Sequence, residues 1–122
     1  MPWDLLNDRP IYTQLLEQIK RRIVSGEYQA GERLPSVREY AAEAGVNPNT
    51  MQRALAELER DGLVRAERTT GRFITEDEKL IQKLREELAK EQIEIFIQAM
   101  QALGYSRTDS LELVASCCQK GE

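Results

Sequence analysis

A chain of 122 residues with 41% hydrophobic, 31% charged and 6% aromatic side chains has room for one compact domain, or one small domain with an appended element. No apolar run reaches the ~18 residues that would suggest a membrane span, and Met1-Pro2-Trp3-Asp4 lacks the basic and then apolar layout of a secretion signal. The expected location is therefore cytoplasmic. The net charge of −4, from 17 Lys plus Arg against 21 Asp plus Glu, counts at first against a nucleic-acid partner.

In chain order, residues 10–24 place Tyr12, Leu15, Leu16, Ile19 and Ile23 at intervals of three and four, which predicts a helix with one buried stripe. Asp8 is its expected cap and Pro10 suits its first turn; Gly26 ends the pattern. The connection Ala30–Pro35 is held extended at Leu34 by the proline that follows. Ser36 then stands three residues before Glu39, the capping-box spacing, and predicts a short helix from Val37 to Glu43. Its apolar side is Val37, Tyr40, Ala41 and Ala44, and Gly45 stops it. Asn47 and Pro48 open the next helix at once, with Met51, Ala54, Leu55 and Leu58 inward and Asp61-Gly62 as its end. Two helices joined by Ala44-Gly45-Val46-Asn47 must cross at a large angle, the helix-turn-helix layout.

Beyond Gly62 the period changes. Leu63–Glu67 and Arg72–Thr75 read as two strands around Arg68-Thr69-Thr70-Gly71, a hairpin placed straight after the second helix. From Glu76 to about Leu103 the helical period returns, with Leu80, Ile81, Leu84, Leu88, Ile93, Phe96, Ile97, Met100 and Leu103 on one face. Gly104 ends it, and Ser106 or Thr108 caps a last helix carrying Leu111, Leu113, Val114 and Ala115. The fold class is thus mainly α with a small β-hairpin: a helix-turn-helix and its hairpin over residues 1–75, followed by two C-terminal helices over 76–122.

The residue inventory disfavours catalysis. There is no histidine, so the commonest general base and metal ligand are missing. Cys117 and Cys118 are adjacent and have no other thiol to pair with, and two thiols fall short of a zinc site. They read as reduced packing residues, with a redox sensor or an intermolecular disulfide as the rival. Neither glycine-rich phosphate motif occurs. No catalytic residue, metal ligand or cofactor is assigned.

Charge counted by segment reverses the first inference. Residues 1–75 hold 11 basic and 11 acidic side chains, and residues 76–122 hold 6 and 10. The whole deficit sits in the C-terminal helices. In the front segment Arg65, Arg68 and Arg72 share the hairpin with only Glu67 against them, Arg38 opens the short helix and Arg53 lies early in the next. A recognition helix meets base edges with its N-terminal residues. Here that end offers Pro48, Asn49, Gln52 and Arg53, with Thr50 available to a phosphate or a thymine methyl. Asn and Gln pair with adenine and Arg with guanine. Ser36 and Arg38, with the free N–H groups of their helix start, suit a phosphate. The hairpin, with Arg68, Thr70, Gly71 and Arg72 at its tip, would lie over the neighbouring backbone or minor groove, Gly71 permitting close approach.

The stretch from Gly31 to Ile74, GERLPSVREYAAEAGVNPNTMQRALAELERDGLVRAERTTGRFI, resembles the GntR family of bacterial transcription regulators, through Leu-Pro-Ser-x-Arg, Gly-Val-Asn-x-x-Thr and the Leu-Glu-x-x-Gly-Leu turn into a wing. The likeness extends upstream to Pro10. It implies a winged helix-turn-helix DNA-binding domain over residues 1–75 and a sequence-specific DNA-binding regulator, with Arg38 on phosphate, Asn49, Thr50, Gln52 and Arg53 on the recognition helix and Gly71 in the wing. Only 47 residues follow Thr75, which resembles the YtrA-type subfamily, whose two C-terminal helices chiefly dimerise and whose members often control transporter operons. This chain has Pro48 and Gln52 where many relatives are basic, and Thr69 where the wing often has glycine, which implies a different base preference and wing tip.

The C-terminal apolar stripe is too long for a small winged domain to cover, so Leu80, Leu84, Leu88, Ile93, Phe96, Ile97, Met100 and Leu103 are expected to pair with a second copy. The expected protein is a homodimeric repressor on double-stranded DNA with a palindromic operator, and with room for a small-molecule effector that would reorient the winged domains about residues 74–78. The rival from another class is a winged-helix protein-interaction module that binds no DNA.

Overall fold

A computed structural model describes residues 3–6 and 9–119. The order of elements is α1 (Ile11–Val24), α2 (Val37–Ala44), α3 (Pro48–Arg60), β1 (Val64–Glu67), β2 (Gly71–Ile74), α4 (Glu78–Ala102) and α5 (Arg107–Cys118). Two compact units divide after Arg85, ten residues beyond the boundary expected at Thr75.

In the first unit α1 and α2 both pack on α3. Helix α1 begins one residue later than expected: Pro10 is its extended N-cap, with no side-chain cap bond, while Asp8 lies outside the described residues. Helix α2 carries the full capping box, Ser36 Oγ accepting from the Glu39 N–H at 3.2 Å and Glu39 Oε1 accepting from the Ser36 N–H at 3.2 Å. Gly45 ends the helix at φ 73°, a left-handed conformation that a side chain would resist, and this is what turns the chain sharply into α3. Asn47 caps α3 by accepting from the Asn49 N–H at 2.7 Å, and Pro48 occupies the first turn.

The apolar stripes meet in one core. Leu15, Ile19, Tyr40, Met51, Ala54, Leu55, Leu58 and Ile74 have no exposed surface. Each fully buried Leu or Ile contributes about 1.5–3 kcal/mol over an exposed one. Tyr12 and Val37, expected on these stripes, are only half-buried. Tyr40 brings a hydroxyl into the core and shares a 2.6 Å hydrogen bond with Tyr28, which stops the polar atom from being left unsolvated. Burial, first, and that hydrogen bond push the Tyr40 phenol well above its ordinary value. Trp3 meets Tyr40 edge-on at 5.5 Å, and the Arg22 guanidinium lies 3.7 Å over the Trp3 ring. Gln14 and Gln18 hold residues 4–6 by bonds to the backbone of Leu6 and Asp4.

β1 and β2 pair antiparallel from Val64↔Ile74 to Glu67↔Gly71, leaving Arg68, Thr69 and Thr70 as the turn. The extended connection before α2 adds to the same sheet. Arg33 bridges Phe73, and the Gly31 and Leu34 N–H groups donate to the carbonyls of Ile74 and Arg72 at 2.9 Å. The edge of β2 is thereby paired rather than left to solvent.

The first two turns of α4 belong to this unit. Asp77 caps them by accepting from the Lys79 and Leu80 N–H groups at 3.1 and 3.2 Å. Ile81 and Leu84 are buried, Leu80 fits against Gly62, and Arg85 donates to the Val24 carbonyl through Nη2 at 2.8 Å. In the second unit Ser106, not Thr108, caps α5, accepting from the Asp109 N–H at 3.0 Å. Ile97 and Ser110 are buried there, and Arg107 pairs with Glu94 at 3.0 Å. No helix of the described residues is long and apolar enough to cross a membrane.

Candidate nucleic-acid interface

The amphipathic pattern of α3 sorts its side chains cleanly. Met51, Ala54, Leu55 and Leu58 turn inward, which leaves Pro48, Asn49, Gln52 and Arg53 exposed at the N-terminal half. Thr50 is half-buried and lines a cleft with Trp3, Leu5, Ile11 and the α2–α3 turn. Tyr12 supports the recognition helix: the Arg53 guanidinium stacks 4.0 Å over its ring. The Tyr12 hydroxyl donates to Glu57 Oε1, which raises the phenol's pKa above its ordinary value, and Glu57 also accepts from Arg60 Nη2 at 3.1 Å. Arg53 is therefore pre-positioned by an aromatic face rather than left to wave in solvent.

At the start of α2 the Ser36 Oγ accepts from the Glu39 N–H in the capping box, which leaves its O–H hydrogen to donate outward. The Val37 and Arg38 N–H groups, the next two of the helix start, are the backbone donors that the box leaves, and Arg38 itself is exposed. A helix start with free donors favours an anion.

The wing differs most from expectation. The sequence sets three arginines against one glutamate, but the fold brings a second carboxylate over from α3. Arg72 Nε donates to Glu59 Oε1 at 2.5 Å, and Arg72 Nη2 reaches Gln52 Oε1 at 3.3 Å. Arg65 pairs with Glu67 at 3.1 Å and lies 5.4 Å over the Phe73 ring. The Thr70 hydroxyl donates to Glu67 Oε2 at 3.1 Å. Arg72, Gln52 and Thr70 thus each already hold a hydrogen bond within the chain. Arg68 remains exposed at the tip.

Arg33 was missed by sequence reasoning. Gly71, at φ 114°, lies so close to it that a methyl there would stand 3.3 Å from Arg33 Nε. The alternation of exposed Arg33 with buried Leu34 before Pro35 was the available signal. Among the described residues, none of Arg33, Arg38, Arg53 and Arg68 is held in an ion pair.

Of the residues expected to pair with a second copy, Leu84 and Ile97 are buried within the chain, and Leu80, Leu88 and Met100 are partly covered. Ile93, Phe96 and Leu103 are exposed by 55%, 40% and 73%, with Ile95, Leu111, Leu113 and Val114 also open. Cys117 and Cys118 are exposed free thiols beside Phe96, Met100, Leu113 and Val114, not packed within the chain. No cluster of three or more metal-ligating side chains occurs among the described residues.

The capped helix α3 with its exposed polar start, the helix α2 that turns sharply into it and the two-stranded hairpin after it define a winged helix-turn-helix DNA-binding protein. Residues 11–74 match the family described as bacterial regulatory proteins, gntR family, and the chain belongs to it. It is similar to the HTH-type transcriptional regulator YhcF of Bacillus subtilis, with 39% identity over 94% of this chain and 95% of that protein. The HTH-type transcriptional repressor YtrA of the same organism is 41% identical over 62% of this chain, a stretch that spans 58% of YtrA. A solved GntR family transcriptional regulator from Listeria monocytogenes superposes with a TM-score of 0.82 at 40% identity, covering 92% of this chain and 98% of that one. The protein is a DNA-binding transcriptional regulator.

Proposed function

We propose that the protein is a repressor that binds a palindromic operator as a homodimer. Helix α3 lies in the major groove with Asn49, Gln52 and Arg53 toward base edges and Thr50 toward backbone or a thymine methyl. Arg38 and the α2 start hold one phosphate strand, while Arg33, Arg68 and Gly71 follow the neighbouring backbone. The observation that carries this is the exposed polar start of α3 accompanied by four arginines that have no ion-pair partner among the described residues, beside a hairpin whose Arg65 and Arg72 are paired with carboxylates. Unpaired arginines release counterions on binding, whereas arginines already matched by carboxylates release fewer. The repressor name of the relative YtrA supports the sign of regulation. The open apolar side chains of the second unit support self-association, with symmetry matching operator half-sites about 34 Å apart or a multiple of that. Because Ile81 and Leu84 are packed in the first unit, a small effector would change half-site spacing by bending beyond Arg85 rather than at residues 74–78.

Titration of a selected duplex at rising salt tests the interface. Arg38→Ala and Arg68→Ala should each flatten the slope of log K against log salt by about one while weakening all sequences alike. Arg65→Ala should flatten it by less. Equal slopes for all four proteins would remove the phosphate assignments, and a monomeric mass by light scattering in the presence and absence of duplex would remove the dimer.

A further inference from the structure

Gln52 is the exposed α3 residue that the wing reaches. Arg72 spans the gap, donating from Nη2 to Gln52 Oε1 at 3.3 Å and from Nε to Glu59 Oε1 at 2.5 Å. Arg72 and Glu59 are 22% and 30% exposed, so the pair is partly shielded from water and its charge-assisted bond is hard to displace. A guanidinium has five donors and no acceptor. The end of the Gln52 amide that faces Arg72 must therefore be its oxygen, and the NH₂ group is the end left for a ligand.

That orientation alters what Gln52 can read. An unrestrained glutamine pairs with adenine by accepting from N6 and donating to N7 at once. With its oxygen turned to the wing, Gln52 meets the adenine N6 amine as donor against donor. Guanine presents N7 and O6, two acceptors side by side. Thymine offers O4 alone, beside a methyl group.

We propose that the Glu59–Arg72 pair sets the base specificity of Gln52, making it a donor-only side chain that selects guanine in the major groove. Arg72 is then a positioning residue: it acts through Gln52, and Glu59 keeps it from swinging to a phosphate. This rests on α3 lying in the major groove, and the test separates the two.

Duplexes selected from a random library by the full chain are compared with those selected by Gln52→Ala, Gln52→Glu and Arg72→Met. In Gln52→Ala one position, repeated by operator symmetry, should lose its preference, and the natural chain should favour guanine over adenine there by about tenfold. Arg72→Met frees the amide and should move that position alone toward adenine. Gln52→Glu offers only acceptors and should move it to cytosine, whose N4 amine donates; it leaves Arg72 untouched should Arg72→Met fail to fold. Adenine at that position in the natural chain overturns the proposal, as does guanine persisting in Gln52→Glu or at unchanged ratio in a folded Arg72→Met. If Gln52→Ala changes no position while selection remains specific, the docking of α3 is what fails, and the proposal falls with it.

Discussion

The two units of this chain treat the same kind of sequence pattern in opposite ways. In the first, each helix carries an apolar stripe and other elements of the same unit cover it, down to Leu15, Ile19, Met51, Leu55 and Leu58 with no exposed surface. In the second, Ile93, Ile95, Phe96, Leu103, Leu111, Leu113 and Val114 remain open although the helices bearing them are regular. An α-helix signals that it has an apolar face but not what will cover it. The first unit covers its own apolar faces; on the proposed reading it turns its polar surface to DNA, and the second unit is finished by another copy.

The contrast is broken most severely from the first side. Leu55→Ala removes a fully buried side chain where α3 meets its neighbours and should cost about 2–5 kcal/mol in chemical denaturation, with DNA binding lost at temperatures where the variant unfolds. A cost under about 1 kcal/mol would mean that the core of this unit is looser than its burial implies. Phe96→Ser with Leu111→Ser should have the converse signature. Both side chains are exposed within the chain, so helix content should be retained while the dimer dissociation constant, read by sedimentation velocity, rises tenfold or more, about 1.4 kcal/mol. Loss of helix content without a change in association would turn the second unit back into an ordinary core.

Much of the first unit is legible because its signals are local. The Ser36–Glu39 spacing, the Gly45 turn and the Asn47-Pro48 start are each read within four residues, and each forms the cap or turn that its chemistry suggests. What was not legible depends on distant partners. Glu59 and Arg72 are 13 residues apart and meet only because the hairpin folds back beside α3, so a count of hairpin charges overstated the free arginines. Arg33 joins the wing through a bridge to Phe73 that no period in the sequence announces. Leu84 carries the same helical spacing as Phe96, yet one is buried within the first unit and the other is open. Periodicity gave the face and was silent on its occupant.

Smaller effects sharpen the picture within each unit. Tyr40→Phe keeps the aromatic volume against Trp3 but leaves the Tyr28 hydroxyl without its 2.6 Å partner, and should cost about 1 kcal/mol in thermal or chemical melting. A neutral result would mean that water replaces the bond, and that the interior near Tyr28 is wetter than the full burial of Tyr40 suggests.

The smallest effect expected is at the ion pair of the second unit. Arg107, through its hydrogen bond and then its charge, holds the Glu94 carboxyl below its ordinary range, and Glu94 raises Arg107 in return. A carboxylate whose native pKa is depressed contributes stability that is present above the unfolded value and disappears as pH falls through the native one. Acid should therefore loosen α5 against α4 in the natural chain, seen as faster amide exchange along Arg107–Cys118 after correction for the intrinsic rate. In Glu94→Gln that acid-dependent part should be missing, and the two proteins should converge at low pH. Both side chains are more than half exposed, so solvent screens the pair and the difference at neutral pH will be slight. If the titration curves of the two proteins coincide throughout, the pair merely decorates the surface, and the α4–α5 hairpin is held by its apolar contacts alone.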